Sequence, residues 1–309
     1  MTAVELIARY ILDHLGEQRP LFVALQGPQG SGKSYVSAHL QAHLQSAPHA
    51  LRVAVLSIDD IYLPHETLIS LAAADPHNPL WQGRGQPGTH DVKLGTDVLS
   101  ALKSGNSSIE LPRFDKSLFA GQGDRLPMDG SGVIITQPPR LDVVIFEGWC
   151  VGFQPITEDE LAERWNGIWK SEREKLGLGE NQMGRKADIQ AINDALRDYL
   201  RLWDFFDIFV QLKPVPPSSP ELSQYAVVYK WRLEQEHHMK ALNGGRGMSD
   251  EAVKSFVDRY IPGYVFFGNI ACSRKQAADI ENDSSMKHSP KRLIVTLDEE
   301  RRVVGTTLL

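Results

Sequence analysis

The sequence predicts an α/β fold, with a mostly parallel sheet flanked by helices, and three observations lead there. Continuous apolar runs of strand length recur at residues 21–25, 52–57, 141–146 and 206–212, and they are too uniformly apolar for a sheet with one wet face. Segments with helical spacing separate them. The first run leads into Gly27, Pro28, Gln29, Gly30, Ser31, Gly32, Lys33 and Ser34, with Tyr35 next, and into a helix over residues 33–45. Strand, glycine loop and helix in this order make a phosphate-binding loop, the mark of a P-loop NTPase fold. At average residue usage the pattern arises by chance in roughly one chain in a hundred of this length. The 309 residues show no internal repeat, and strands alternate with helices throughout, so a single domain with insertions is expected.

Each element has a local reason. Residues 2–16 place Val4, Ile7, Ala8, Ile11 and Leu15 on one helical side, and residues 33–45 place Val36, Leu40 and Leu44 on another. The second apolar run ends in Asp59 and Asp60. Residues 62–132 are rich in Pro, Gly and Asp around one helix near residues 96–103; a stretch this long reads as a functional insertion. The third run ends in Glu147. Residues 158–204 read as mostly helical, with a polar loop near 177–184. The fourth run is halted by Pro214, Pro216 and Pro217, and a long helix over residues 222–242 meets a glycine-rich joint at 243–247 that contains Arg246. Asp250 reads as the N-cap of a helix through Tyr260. Residues 214–262 thus resemble a mobile helical lid. A polar, loose tail over 273–291 precedes a hairpin from residues 293–297 and 303–308.

Composition narrows the function. A net charge of −6 argues against nucleic acid as the main partner, because no excess of basic residues is available for phosphates. No run of about 18 apolar residues exists to span a membrane. The start of the chain lacks the basic and apolar regions of a secretory leader, and Cys150 and Cys272 have no metal-ligand spacing, so a cytoplasmic setting is expected.

The loop itself implies a nucleoside triphosphate. Glycines let backbone N–H groups converge on the phosphates, the helix N-terminus adds partial positive charge, Lys33 reaches the β- and γ-phosphates, and Ser34 holds Mg²⁺. Transfer to an alcohol further needs a carboxylate near the attacking hydroxyl. Asp59 is the preferred base, and it faces the metal from the end of its strand. Glu147 is the second acidic element toward Mg²⁺. Lys230 and Arg232 lie on the lid helix, where Arg232 could close on the phosphates. Arg84, His90 and Asp91 in one polar run, and Arg113 and Lys116 in another, together with Asp60, suit a small anionic or hydroxylated acceptor. His237 and His238 read as an exposed helix face.

With the runs from Ser57 to Tyr62, Gly83 to Asp91, Leu111 to Ser117 and Val144 to Trp149, the chain resembles the glycerate 3-kinase family, in particular its fungal ATP-dependent kinases, within the wider group of phosphoribulokinase, uridine kinase and pantothenate kinase. The match spans roughly residues 20–265 in one motif order. The resemblance implies that Asp59 stands beside the acceptor hydroxyl, that the segment from Pro87 to Asp91 helps build the acceptor pocket, and that Lys230 to Leu233 belong to the lid, with Arg232 at the phosphates. Phe114 replaces a tyrosine of the related pattern, and the helical stretch 158–204 has no counterpart in the small nucleoside kinases. The expected activity is ATP- and Mg²⁺-dependent phosphorylation of a small alcohol, D-glycerate foremost. A kinase for a nucleoside, a pantothenate-like acid or a sugar is a second possibility, and a nucleotide-gated regulatory ATPase a third.

Overall fold

The computed structural model describes residues 1–179, 183–242, 244–245, 247–268 and 290–309. The Thr2 hydroxyl accepts the Glu5 N–H while Glu5 accepts the Thr2 N–H, a reciprocal cap that starts α1 (Ala3–Asp13). Then come β1 (Leu21–Gln26), α2 (Lys33–Gln45) and β2 (Val53–Ser57). The insertion holds two helices, α3 (His65–Ala74) and α4 (Val92–Ser104). It also holds two small antiparallel pairings: β3 (Ile109–Glu110) with β6 (Ile134–Ile135), and β4 (Phe114–Asp115) with β5 (Asp124–Arg125). β7 (Val143–Gly148) returns to the centre.

The stretch expected to be mostly helical contains α5 (Glu158–Arg164), a π-helical turn at Trp165–Trp169, α6 (Lys170–Leu176) and α7 (Lys186–Trp203). β8 (Ile208–Pro214), α8 (Ala226–Leu242), α9 (Asp250–Asp258) and α10 (Ile261–Phe267) follow. The terminal hairpin is β9 (Lys291–Leu297) with β10 (Val303–Leu308).

Among the described residues, six strands form one sheet in the order β10-β9-β8-β1-β7-β2, parallel except for β10. The hairpin is therefore part of the main sheet, which the sequence did not indicate. The pleat sorts β1 between two cores. Phe22 and Ala24 face one that includes Phe146, Leu99, Leu196 and Phe266, whereas Val23 and Leu25 face another that includes Ile7, Ile11, Leu40, Leu44 and Trp231. Both faces are covered, which is why these strands read as continuous apolar runs.

Several local expectations are corrected. α3 falls where only loop was read, α9 ends at Asp258, just short of the expected Tyr260, and α10 lies beyond it where no helix was read. The N-cap of α9 is Ser249, whose hydroxyl accepts the Ala252 N–H; Asp250 is the first helical residue. α4 begins at Val92, earlier than expected, because Asp91 caps it. Cys150 is a buried free thiol. Arg246, Cys272, most of the polar tail and parts of the two expected loops lie outside the described residues. No described helix is long and apolar enough to cross a membrane.

Asn193 is one of the buried side chains that fasten the 158–204 region. The amide of Asn193, fully buried, accepts from the Ile156 N–H at 2.8 Å and donates to the Ile156 carbonyl at 2.9 Å. Asn193→Ala strands both backbone groups away from water and should lower unfolding free energy by about 2–4 kcal/mol, read as a shifted denaturant midpoint.

Candidate active site

The sheet order explains where the site lies. β1, β7 and β2 are neighbours in register, so that Leu25 stands beside Glu147 and Glu147 beside Ser57. The loop after β1, the acid at the end of β7 and the aspartates after β2 thus emerge at one carboxyl edge, where ligands bind in open α/β sheets.

The loop is anchored by its own backbone. Gly27 N–H meets the Gly148 carbonyl at 3.4 Å, and Gln29 N–H donates to the Tyr264 hydroxyl at 3.0 Å. Gly32, at φ 86°, turns the chain into α2. Gly30, at φ 72°, lies so close to α8 that a Cβ there would sit 2.5 Å from the Trp231 carbonyl carbon. Lys33 and Ser34 open α2, where unpaired N–H groups and the helix dipole favour anions.

Ser34 Oγ donates to Glu147 Oε1 at 2.9 Å. Glu147 is 4% exposed, and its Oε2 has no hydrogen-bond partner. An orphaned carboxylate oxygen beside a hydroxyl suits Mg²⁺, which takes one or two protein ligands and fills its shell with water and phosphate. Among the described residues no group of three or more His, Cys, Asp or Glu could hold a metal by itself.

Asp59 and Asp60 lie on a 3₁₀ turn, Ile58–Ile61, capped by Ser57. Burial would raise the Asp59 carboxyl, but the Lys116 ammonium paired with it and the nearby Lys33 outweigh that and hold it well below the usual carboxylate range. Asp60 is the opposite case. Burial and the neighbouring Asp59 charge push it up to about 6, although it accepts the Ser57 N–H. Lys116 reaches Asp59 because β4 pairs with β5, and Phe114 on that strand packs edge-on against Tyr62.

The other expected residues divide. Arg84 lies 5.5 Å over the Phe114 ring and donates to the carbonyls of Gly121 and Gln122, on the Lys116 side of the site. Its charge is felt at Lys116. His90 stacks on Tyr62, and burial pushes its imidazole down to about 3, so it is neutral. Its Nδ1 lies 2.7 Å from the Tyr199 hydroxyl, which already accepts the Gly88 N–H. The other ring nitrogen, Nε2, is buried and has no hydrogen-bond partner.

Asp91 and Arg113 have architectural partners instead. Asp91 caps α4 through Leu94 N–H and pairs with Arg125 at 2.7 Å. Arg113 binds Glu110 and the Ser131 hydroxyl. Arg232, its side chain 11% exposed, pairs with Glu236 at 2.8 Å and lies over Phe256, although its backbone touches Gly30. Lys230 pairs with Glu299, and His237 with Asp250. Tyr35, after the loop, is 64% exposed and stacks on His39. Sequence reasoning missed Arg301, whose Nε donates to the Gly30 carbonyl at 2.6 Å. It stands in a charged turn that reads as solvated surface.

The two aspartates give a pH signature. The folded-state pKa of Asp60 lies above its ordinary value of 3.8, so folding takes up a proton between about 6 and 3.8 and stability rises as pH falls through that window. Asp60→Asn lacks this gain. Its melting temperature relative to the parent should therefore be higher at pH 8 than at pH 5; an equal difference at both pH values would show that Asp60 is not strained.

No family model matches the chain. It is 36% identical to "Uncharacterized kinase mug58" of Schizosaccharomyces pombe over 278 residues, covering 86% of this chain and 90% of that one. It is 34% identical over 285 residues to "Probable ATP-dependent kinase TDA10" of Saccharomyces cerevisiae, covering 86% and 84%. Among solved structures, D-glycerate 3-kinase from Cryptococcus neoformans superposes over 100% of both chains with a TM-score of 0.82 at 36% identity. The phosphate loop, the carboxylates gathered at its edge and this full-length likeness agree: the chain belongs to the glycerate 3-kinase family of ATP-dependent small-molecule kinases.

Proposed function

We propose that this chain transfers the γ-phosphoryl of Mg·ATP to a hydroxyl of a small hydroxy acid, with D-glycerate the leading acceptor. One observation carries the reading. Asp59 is held ionised at the carboxyl edge of the sheet between the loop lysine and Lys116, a cation that the phosphate loop does not itself supply. A hydrolytic switch has no use for a second cationic wall, whereas an acceptor with its own carboxylate does. Lys116 and Arg84 offer that charge, and the unpartnered Nε2 of neutral His90 offers a buried polar atom. The likeness to D-glycerate 3-kinase supports the same acceptor.

In this reading the loop N–H groups and Lys33 hold the β- and γ-phosphates, and Ser34 and Glu147 would hold Mg²⁺. The metal, when bound, offsets negative charge on the phosphate oxygens. Asp59 accepts the hydrogen bond of the substrate hydroxyl and aims its oxygen at phosphorus. A carboxylate held this low is a weak base, so it receives the proton only as the new O–P bond forms, in keeping with a loose transition state. Arg232 adds a cation from the lid after its pair with Glu236 opens. Residues 62–132 then act as the acceptor insertion and 214–262 as the lid.

Asp59→Asn should lower kcat by about a hundredfold or more while leaving the Kd for ATP within about twofold, since the residue acts on the acceptor hydroxyl and only its charge is felt at Lys33. Collapse of ATP binding in that variant would refute the role. ADP release from Mg·ATP should rise with D-glycerate and not with uridine, pantothenate or ribose; stimulation by another of these would move the acceptor and keep the phosphotransferase. Glu147→Gln should raise the half-saturating Mg²⁺ concentration about tenfold, measured as a Mg²⁺ titration of turnover.

A further inference from the structure

The phosphate loop is gripped from a direction that its motif does not encode. The turn between β9 and β10 carries Arg301, and three nitrogens of its guanidinium have three different targets. Nε donates to the Gly30 carbonyl at 2.6 Å, Nη1 to Glu234 at 2.7 Å and Nη2 to the Trp231 carbonyl at 3.1 Å. The guanidinium also lies 5.5 Å over the Trp231 ring. From the same turn, Glu299 accepts the Trp231 indole N–H on its carbonyl at 2.6 Å, and its carboxylate pairs with Lys230 at 2.8 Å. Turn, lid helix and phosphate loop are thus one knot. Arg301 adopts φ 64°, a backbone region that costs a non-glycine residue energy and persists where surrounding contacts hold it.

The knot walls a cavity of about 1150 Å³ beside the first turn of α2. Gly30, Ser34 and Tyr35 line one side, and Glu234, His238 and Arg301 another; neither Asp59 nor Glu147 takes part. We propose that a triphosphate lying in the loop with its γ-end toward Asp59 puts its nucleoside end in this cavity, and that Arg301 is a positioning residue for it: by tying the Gly30 carbonyl to α8 it sets the curvature of the phosphate loop and the width of the nucleoside cavity. The proposal rests on the nucleotide half of the reading above and is independent of which acceptor is phosphorylated.

The test uses the full chain and two probes, ATP and inorganic tripolyphosphate, titrated calorimetrically without acceptor beside a melting curve. Arg301→Gly is the informative variant, because glycine takes a positive φ at no cost and the turn keeps its shape. Its melting temperature should fall by no more than a few degrees, because relief of the positive φ offsets part of the lost contacts, while the Kd for ATP rises about tenfold and that for tripolyphosphate also rises, as loss of charge-assisted hydrogen bonds would give. Arg301→Lys keeps the charge beside Glu234 but cannot fork onto two carbonyls, so it should also bind weakly. Parental ATP affinity in Arg301→Gly would reduce Arg301 to a structural strap and overturn the proposal. Weaker ATP with unchanged tripolyphosphate binding would overturn it too, since loop curvature would then not depend on Arg301. Full affinity in Arg301→Lys would likewise overturn it, because charge alone would suffice. If the parent chain binds ATP yet phosphorylates no hydroxy acid, the acceptor reading fails and this one still stands to be judged.

Discussion

Everything at the site depends on the parallel register of β1, β7 and β2. Side chains on a strand alternate between faces, so a slip of one residue would turn Glu147 into the core and bring Phe146 to the position opposite Ser34. The register is set by burial. β1 and β7 are apolar on both faces, and Phe22, Ala24, Val144 and Phe146 meet one core while Val23, Leu25, Val143 and Ile145 meet the other. At about 1.5–3 kcal/mol for each large apolar side chain fully buried, a slipped strand that lost the fit of its side chains in both cores would forfeit an amount comparable to a typical domain's net stability. A hydrophobic pattern thereby delivers three polar groups to one place.

At that place charge is arranged in opposition. Asp59 and Asp60 are adjacent in the chain and both half-buried, yet Lys116 and Lys33 hold one ionised while the other absorbs the repulsion. Such divergence is how two chemically equal carboxylates acquire different tasks. Asp60 accepts the Ser57 N–H and keeps the 3₁₀ turn closed, and the Asp59 carboxylate turns to Lys116 instead. The sheet supplies the edge; the insertion, through Lys116, supplies the polarity.

The sequence disclosed what rests on local periodicity or on a motif. The strands of the sheet's centre were legible because each must be apolar on both faces, and the loop because phosphate binding needs glycines at defined spacing. α10 was not legible, since Ile261, Pro262 and Gly263 look like a break, although proline is well tolerated in the first turn of a helix. Ser249 and Asp250 are both good caps, and only backbone geometry separates them. Asp91 looked like a substrate ligand for the reason that makes it a good helix cap: a short carboxylate beside a turn. Arg301 is out of reach of any pattern, because its partners Gly30, Trp231 and Glu234 are distant in sequence and come together only when β9 pairs with β8.

That last pairing has a consequence for how the protein is made. Ribosomal synthesis delivers the glycine loop early and the β9–β10 hairpin near the end. Until the hairpin arrives, β8 stands as a bare sheet edge with one row of backbone groups unpaired, and α8 has no Glu299 or Arg301 to rest against. A nascent chain can therefore display the full nucleotide signature long before its loop is braced by the final strands.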